Sequence, residues 1–176
     1  MSQGIRFTGG PNDNPTVEMN GVTYAVPLAN PKAFPGSNVV NGRQVIDAAK
    51  TLTADDCGAL CLFNLAAGFT YTLPAAEKGL WFEFLVTVTA TSAVHRVACA
   101  TGDFLLGAIL QSPDGTDDVI TVAANGTTHL AWEGSGTDTG GIIGDNFKVT
   151  AISGSQWVIQ GINTATGSEA TPFKTS

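Results

Sequence analysis

The fold is decided by residues 51–90, which have the sequence TLTADDCGALCLFNLAAGFTYTLPAAEKGLWFEFLVTVTA. Apolar and polar residues alternate in FTYTL (69–73) and again in LWFEFLVTV (80–88). Because successive side chains leave a strand on opposite faces, this period of two predicts two half-buried strands, joined by a turn between Pro74 and Gly79. The residues predicted to face the core are Phe69, Tyr71, Leu73, Leu80, Phe82, Phe84, Val86 and Val88.

Two hairpins are predicted in the second half of the chain. Asn125-Gly126 separates DVITVA (118–123) from TTHLAW (127–132), and Asn-Gly between apolar runs is a strong hairpin signal. Residues 146–152 are expected to pair with residues 156–162 across Ser153-Gly154-Ser155. In that second hairpin, Phe147, Val149 and Ala151 would lie against Trp157 and Ile159 or their neighbours.

Strand-like runs recur at intervals of about ten residues between positions 50 and 162, which is typical of an all-β sandwich or barrel. We therefore predict an all-β protein with a single compact β-sandwich or barrel-like domain, β-tulip or jelly-roll-like, at residues 46–163. Residues 1–45 are predicted to form an extended N-terminal arm. The polar residues 164–176 are predicted to form a flexible tail.

Composition limits the classes of function. Charged residues make up only 13 % of the chain, and the formal net charge is −7 with 8 Lys and Arg residues, which are not clustered. A protein that holds nucleic acid through its phosphates needs a basic surface, so direct nucleic-acid binding is not expected. The N-terminus has no apolar core of a secretory signal, and no apolar run is long enough to span a membrane. We expect a protein made in the cytoplasm with no membrane partner.

The N-terminal arm carries more large apolar side chains than a solvated linker needs. They are Ile5, Phe7, Val17, Met19, Tyr24 and Phe34. One hypothesis is that these residues dock on a neighbouring subunit or a larger surface, which makes them the candidate capsid or subunit contacts. The other is that the arm packs on its own domain as an irregular cover.

No catalytic, cofactor-binding or metal site is predicted. Cys57, Cys61 and Cys99 are interpreted as buried reduced thiols, with a Cys57–Cys61 disulfide left open. Residues 53–58 are interpreted as one capped helical turn, with Thr53 as N-cap and with Asp55 and Asp56 in the first turn, rather than as an acid–base pair.

Three further features have an ordinary structural interpretation. His95 and His129 are expected to be half-exposed strand residues. Asp114 to Asp118 is interpreted as an acidic turn, with Ca²⁺ binding left open. Trp81, Trp132 and Trp157 are assigned to the core or to a subunit interface rather than to a sugar-binding platform.

A family resemblance rests on three segments: FTYTLP (69–74), GLWFEF (79–84) and GSQWVIQG (154–161). Together with the threonine-rich strand and acidic turn at 51–58, they resemble the small β-rich structural proteins of tailed bacteriophages, described as head decoration or head-fibre proteins. The resemblance covers residues 50–162 and leaves out the arm.

The resemblance implies a non-enzymatic virion protein, a capsid decoration or cement protein that assembles as a homotrimer. Its partner would be the major capsid protein at the outer surface of the head. A second hypothesis, from another class, is a receptor- or glycan-binding module of a tail fibre or appendage, in which the tryptophans would contact the ligand.

Overall fold

The computed structural model describes residues 43–113 and 118–176 in full, together with the backbone of four short strands nearer the N-terminus. These strands are β1 (Arg6–Thr8), β2 (Thr16–Met19), β3 (Val22–Ala25) and β4 (Val39–Val40). The chain divides into two compact units, Met1–Gln44 and Val45–Ser176.

In the N-terminal unit, β1, β2 and β3 form a three-stranded antiparallel sheet in that order. β4 pairs with the first residues of β5 (Arg43–Ile46), where Val39 lies opposite Gln44 and Val40 opposite Arg43. The weak alternation of residues 22–27 predicts one short strand, and β3 lies there. Apart from β1 to β4 and residues 43–45, the predicted extended arm lies outside the described residues.

The strands of the second unit are short and regularly spaced. After β5 they are β6 (Lys50–Thr51), β7 (Leu60–Phe63), β8 (Thr70–Thr72), β9 (Trp81–Val86), β10 (His95–Ala98), β11 (Phe104–Ser112), β12 (Ile120–Asn125), β13 (Ala131–Gly134), β14 (Asn146–Ala151), β15 (Gln156–Thr164) and β16 (Phe173–Lys174). One 3₁₀ turn, Ala54–Asp56, interrupts them.

These strands form two mixed sheets packed against each other, which confirms the predicted all-β sandwich. In the second unit, the larger sheet has the order β12-β11-β15-β14-β9-β7-β5, and the smaller sheet has the order β16-β13-β10-β8-β6. From β5 to β10 the chain crosses between the sheets at every step. β5, β7 and β9 are therefore parallel neighbours in one sheet, and β6, β8 and β10 are parallel neighbours in the other.

The core lies between the two sheets and is rich in aromatic side chains. Trp132 of the smaller sheet contacts Phe147 of the larger sheet, with ring centroids 4.4 Å apart, and Phe63 packs on Tyr71 at 5.1 Å. The predicted inner faces of 69–73 and 80–88 are confirmed. Tyr71, Leu73, Phe82, Phe84 and Val86 are all buried, and the remaining three inner positions are half-buried.

One predicted hairpin is confirmed and the other is wrong. β14 pairs with β15 antiparallel, with Val149 opposite Ile159 and Ala151 opposite Trp157. By contrast, β12 pairs with β11, whereas β13 pairs with β10 and β16 in the other sheet. Asn125 still forms a turn, because its side-chain oxygen accepts hydrogen bonds from two later backbone N–H groups. This turn carries the chain from one sheet to the other.

The C-terminal segment differs from the predicted flexible tail at 164–176. β16 pairs with β13, Phe173 is buried, and the ring of His129 stacks on it with a centroid separation of 5.6 Å. Arg96 forms an ion pair with Glu133 and also donates to the Ser176 carbonyl. The buried ring of Phe173 therefore holds β16 against β13 at the edge of the smaller sheet.

Candidate interaction surface

The larger sheet has a second face, directed away from the core, that is unusually apolar. The burial of β7, β9 and β14 alternates strictly, so every second side chain points outward. We call this surface the outer face and define it by the outward residues of five adjacent strands. They are Leu60, Leu62, Trp81, Glu83, Leu85, Leu106, Ala108, Leu110, Asn146, Lys148, Thr150, Val158, Gln160 and Ile162.

The strand register arranges these residues in rows across the sheet. In one row Leu62 lies opposite Leu85, which lies opposite Asn146. The row continues through Ile162 to Leu110. Leu110 is 47 % exposed and Ile162 is 49 % exposed, and together they form a ridge on β11 and β15.

A recess of about 330 Å³ opens on the same face beside this ridge. Its lining consists of Leu60, Glu83, Phe84, Leu85, Asn146, Phe147, Lys148 and Gln160. The two phenylalanines belong to the inner face of the sheet. Their rings point into the core, so the side chains that line the recess are those of two leucines, an acid, a base and two amides.

The outer face carries one negative and one positive side chain. Glu83 and Lys148 are directly opposite in the register of β9 and β14, so the formal charge of the face is zero. The Lys148 ammonium also lies 4.2 Å from the centroid of the Trp81 ring, within the range of a cation–π contact. A neutral, largely apolar sheet face is suited to contact with protein rather than with nucleic acid or an anionic surface.

The three tryptophans do not lie together on one platform. Trp132 and Trp157 are fully buried, as the core interpretation predicts. Their indole nitrogens have no hydrogen-bond partner in the described part of the chain. Trp81 is half-buried on the outer face, where Lys148 lies over its ring.

His95 corrects a prediction, because it is fully buried rather than half-exposed. Its Nε2 lies 2.8 Å from the Val88 carbonyl oxygen, and its ring centroid is 4.6 Å from that of Phe63. Its Nδ1 has no hydrogen-bond partner among the residues that the structure describes. Burial lowers the pKa of His95, opposed in part by the Val88 carbonyl. His129 is half-buried as predicted, but it lies between β12 and β13 rather than in a strand, and its Nδ1 accepts a hydrogen bond from the Asn125 backbone N–H.

The glycine-rich loop after β13 is held by hydrogen bonds. The Ser135 hydroxyl donates to Asp138, and this hydrogen bond lowers the pKa of the Asp138 carboxyl. Asp145 is buried and accepts backbone N–H groups from Gly141, Ile142 and Thr164. Burial raises the pKa of the Asp145 carboxyl against the effect of these donors. These acidic residues therefore have structural partners.

The acidic turn at 53–58 is a capped turn, as predicted, although Asp56 has the larger role. Its buried carboxylate accepts from both the backbone N–H and the hydroxyl of Thr53, and it forms a 2.7 Å ion pair with Lys50. The three cysteines are free. Cys57 is exposed and Cys99 is half-buried, so only Cys61 is buried as predicted for all three. The burial of Cys99 still raises its pKa to about 12.

The predicted candidate contacts in the arm are not placed by the structure. Ile5 and Phe34 lie outside the described residues, and for Phe7, Val17, Met19 and Tyr24 the backbone alone is described. The acidic turn Asp114 to Asp118 also lies outside them, except for Asp118. Among the described residues, no group of three or more His, Cys, Asp or Glu side chains is arranged to hold a metal ion. The same residues include no helix of the length and apolarity required to span a membrane.

Sequence reasoning missed the outer face. The signal was present in LCLF (60–63) and FLLGAIL (104–110), where apolar residues occupy consecutive positions instead of alternating. Such runs indicate strands that are covered on both faces. No protein-family model matches the chain, and comparison with curated proteins and with solved structures found no similar protein.

Proposed function

We propose that this chain is a structural virion protein that binds the outer surface of a bacteriophage capsid and reinforces it, as a homotrimeric decoration or cement protein. The proposed partner is the major capsid protein, and the proposed location is the capsid surface after synthesis in the host cytoplasm. In this proposal the protein is not an enzyme and binds neither nucleic acid nor membrane. The sequence resemblance at residues 50–162 is its starting point.

The observation that carries the proposal is the burial of the tryptophans. A decoration module requires them as packing groups, whereas a sugar platform requires exposed aromatic rings flanked by polar groups. Trp132 and Trp157 are fully buried between the sheets. They support a rigid β body whose contacts with other proteins are made by surfaces other than an aromatic platform.

The division of the chain into two units supports the same proposal. The Val45–Ser176 unit is a sandwich with its own core. The contacts within the chain divide the Met1–Gln44 unit from it. A separate N-terminal segment that is rich in large apolar residues is suited to attachment. Three such segments in a trimer would act together through their high effective concentration.

Co-sedimentation with empty capsids tests the proposal. Full-length protein is expected to pellet with capsids and to saturate, and a variant that lacks residues 1–40 is expected to remain in the supernatant. A truncated variant that pellets as well as the full chain would exclude the arm as the attachment segment. Full-length protein that never pellets would contradict capsid binding altogether.

A receptor- or glycan-binding module is the second candidate, favoured by one specific observation. Trp81 is half-buried and lies on the same face as the recess lined by Glu83, Asn146, Lys148 and Gln160. An aromatic ring near polar groups is an arrangement that binds sugars. A glycan array with wild type and Trp81→Ala discriminates the two functions. A hit lost in the variant would support this second function.

A further inference from the structure

Three buried side-chain oxygens at one end of the sandwich have no hydrogen-bond donor among the described residues. They are Gln111 Oε1, Asn163 Oδ1 and Glu169 Oε1. Buried acceptors in folded proteins nearly always have a partner, so three in one region require an explanation. We infer that these oxygens are ligands of a calcium ion. The site is independent of the proposed attachment to a capsid.

The two amides are neighbours on the inner face of the larger sheet. Gln111 and Asn163 lie opposite each other in the parallel register of β11 and β15, and both residues are fully buried. Side chains at paired positions of adjacent strands leave the sheet on the same face. The two amide groups are therefore side by side near the ends of these strands.

The glycine-rich loop after β13 determines which way each amide is turned. Gln111 Nε2 donates to the carbonyl oxygens of Asp138 at 2.9 Å and Ala170 at 3.3 Å. Asn163 Nδ2 donates to the Thr139 carbonyl oxygen at 3.3 Å. Rotating either amide would place one carbonyl oxygen against another, so the nitrogens face these carbonyls. Both amide oxygens are left as acceptors for another group.

Glu169 adds a negative charge at the same end of the sandwich. It directly precedes Ala170, whose carbonyl oxygen accepts from Gln111. Its Oε1 is buried, and neither of the ion pairs Lys50–Asp56 and Arg96–Glu133 in the described part of the chain includes it. A buried carboxylate oxygen without a donor is unfavourable, and a bound cation removes that cost.

The donor set favours calcium over other occupants. Calcium takes about six to eight oxygen ligands in flexible geometry, including carboxylates and side-chain amide oxygens, whereas magnesium requires an octahedron and keeps several waters. A water molecule has two hydrogens for three acceptors and leaves the carboxylate charge in place. One carboxylate and two amides are also compatible with the lack of a cluster of three or more His, Cys, Asp or Glu side chains among the described residues.

Thermal unfolding and titration calorimetry of the full chain test the site. After treatment with EDTA and dialysis, about 10 mM calcium is expected to raise Tm by about 3 °C or more, and sodium at matched ionic strength is expected to leave it unchanged. Magnesium at the same concentration is expected to raise Tm by less than half as much. Calorimetry is expected to give a Kd of about 0.1–1 mM, because a single carboxylate makes a weak site.

Glu169→Gln removes the charge and retains the shape of the side chain. Calcium is expected to bind this variant at least about 10-fold more weakly and to lose its effect on Tm. Glu77→Gln is the matched control, because it makes the same change at an exposed residue outside the site, and it is expected to respond to calcium as wild type does. Circular dichroism in EDTA verifies that both variants fold.

A calcium response that wild type and Glu77→Gln share and Glu169→Gln lacks would support the site. Wild-type protein whose Tm and calorimetry do not respond to calcium would overturn it, which is the result expected if the oxygens bind only water. A wild-type response in folded Glu169→Gln would overturn it as well, since calcium would then bind elsewhere, as at the acidic turn 114–118. A magnesium response equal to that of calcium would contradict the choice of ion.

Discussion

His95 is a titratable residue placed where its charged form is poorly tolerated. It is surrounded by Phe63 and Phe69, and its single described hydrogen bond is to the Val88 carbonyl. Burial lowers its pKa below the ordinary value of 6.5. The unfolded chain therefore takes up a proton at higher pH than the folded chain does. The stability contributed by neutral His95 is fully present above about pH 6.5 and decreases as the pH falls through the window below it.

This difference predicts a change in acid sensitivity on replacing His95. Urea unfolding between about pH 8 and about pH 5 is expected to show a steeper loss of unfolding free energy in wild type than in His95→Gln. Glutamine can donate to the Val88 carbonyl but does not titrate. Parallel pH profiles of the two proteins would contradict the account of His95, whatever their difference in stability at pH 8.

The Asp145 carboxylate accepts hydrogen bonds from two backbone N–H groups of the loop at 141–145 and from that of Thr164 in β15. A second prediction concerns the replacement of Asp145. Asp145→Ala leaves three backbone N–H groups without their acceptor, and it is expected to lower the free energy of unfolding by about 3 kcal/mol. Asp55→Ala serves as the control, because Asp55 is exposed and no hydrogen bond of its side chain is described. Urea denaturation at neutral pH gives both values. Equal, small losses in the two variants would refute this role.

At the scale of the element, β11 contains a glycine that allows close approach to β15. Gly107 has φ +107°, and a Cβ at this position would collide with the Ile159 carbonyl oxygen. Gly107→Ala is expected to cost about 3 kcal/mol or more, from the strained backbone and from the displacement of β15. Thermal or urea unfolding measures the loss.

Gly102 is the matched control for Gly107. It has φ +90°, but a Cβ there would meet no atom within 4 Å. Gly102→Ala is therefore expected to show the cost of the backbone conformation alone, about 1 kcal/mol. If Gly102→Ala destabilises as much as Gly107→Ala, the close approach of the two strands contributes nothing measurable.

β16 lies in the segment that the sequence predicts to be a flexible tail. A fourth prediction tests whether β16 is attached to β13. Phe173→Ala removes a buried ring at the edge of the smaller sheet and is expected to cost about 3 kcal/mol. Ile152→Ala truncates a side chain that is 44 % exposed and is expected to cost less than about 1 kcal/mol. Comparable stabilities of the two variants would indicate that β16 is not bound to β13 in solution.

Local patterns predicted individual strands better than they predicted how strands pair. The alternation at 80–88 and the hairpin ending in Trp157 and Ile159 were both recovered, because side-chain periodicity and a short turn determine them locally. The parallel pairing of β7 and β9 was not predicted, since a connection that passes through the other sheet produces no recognisable pattern in the sequence of either strand. Asn125-Gly126 shows the same limit: the turn is present, but its outgoing strand finds another partner.

Whether a residue is buried depends on distant parts of the chain, and this explains the remaining errors. His95 and Cys57 each have one charged neighbour and one small or apolar neighbour in sequence, yet His95 is fully buried and Cys57 is exposed. The outer face could be defined only from the register of the paired strands, which places Leu62, Leu85 and Leu110 in one row. The predicted contacts in the arm remain predictions, since they lie outside the side chains that the structure describes.

At the scale of the whole molecule, a sandwich body and a separate N-terminal unit have different proposed tasks. The body supplies a rigid core between two sheets. The N-terminal unit supplies the proposed attachment to the capsid. A trimer with three attachment segments would bridge several capsid subunits, and separating those subunits would require breaking all three contacts.

Electron microscopy of capsids incubated with the purified protein tests the central claim most directly. Empty capsids of the phage proposed as the source of the protein are imaged with and without saturating protein. The account predicts additional density at symmetry-related positions on the outer surface, in groups of three copies per site. Capsids that remain bare at saturating protein would contradict it.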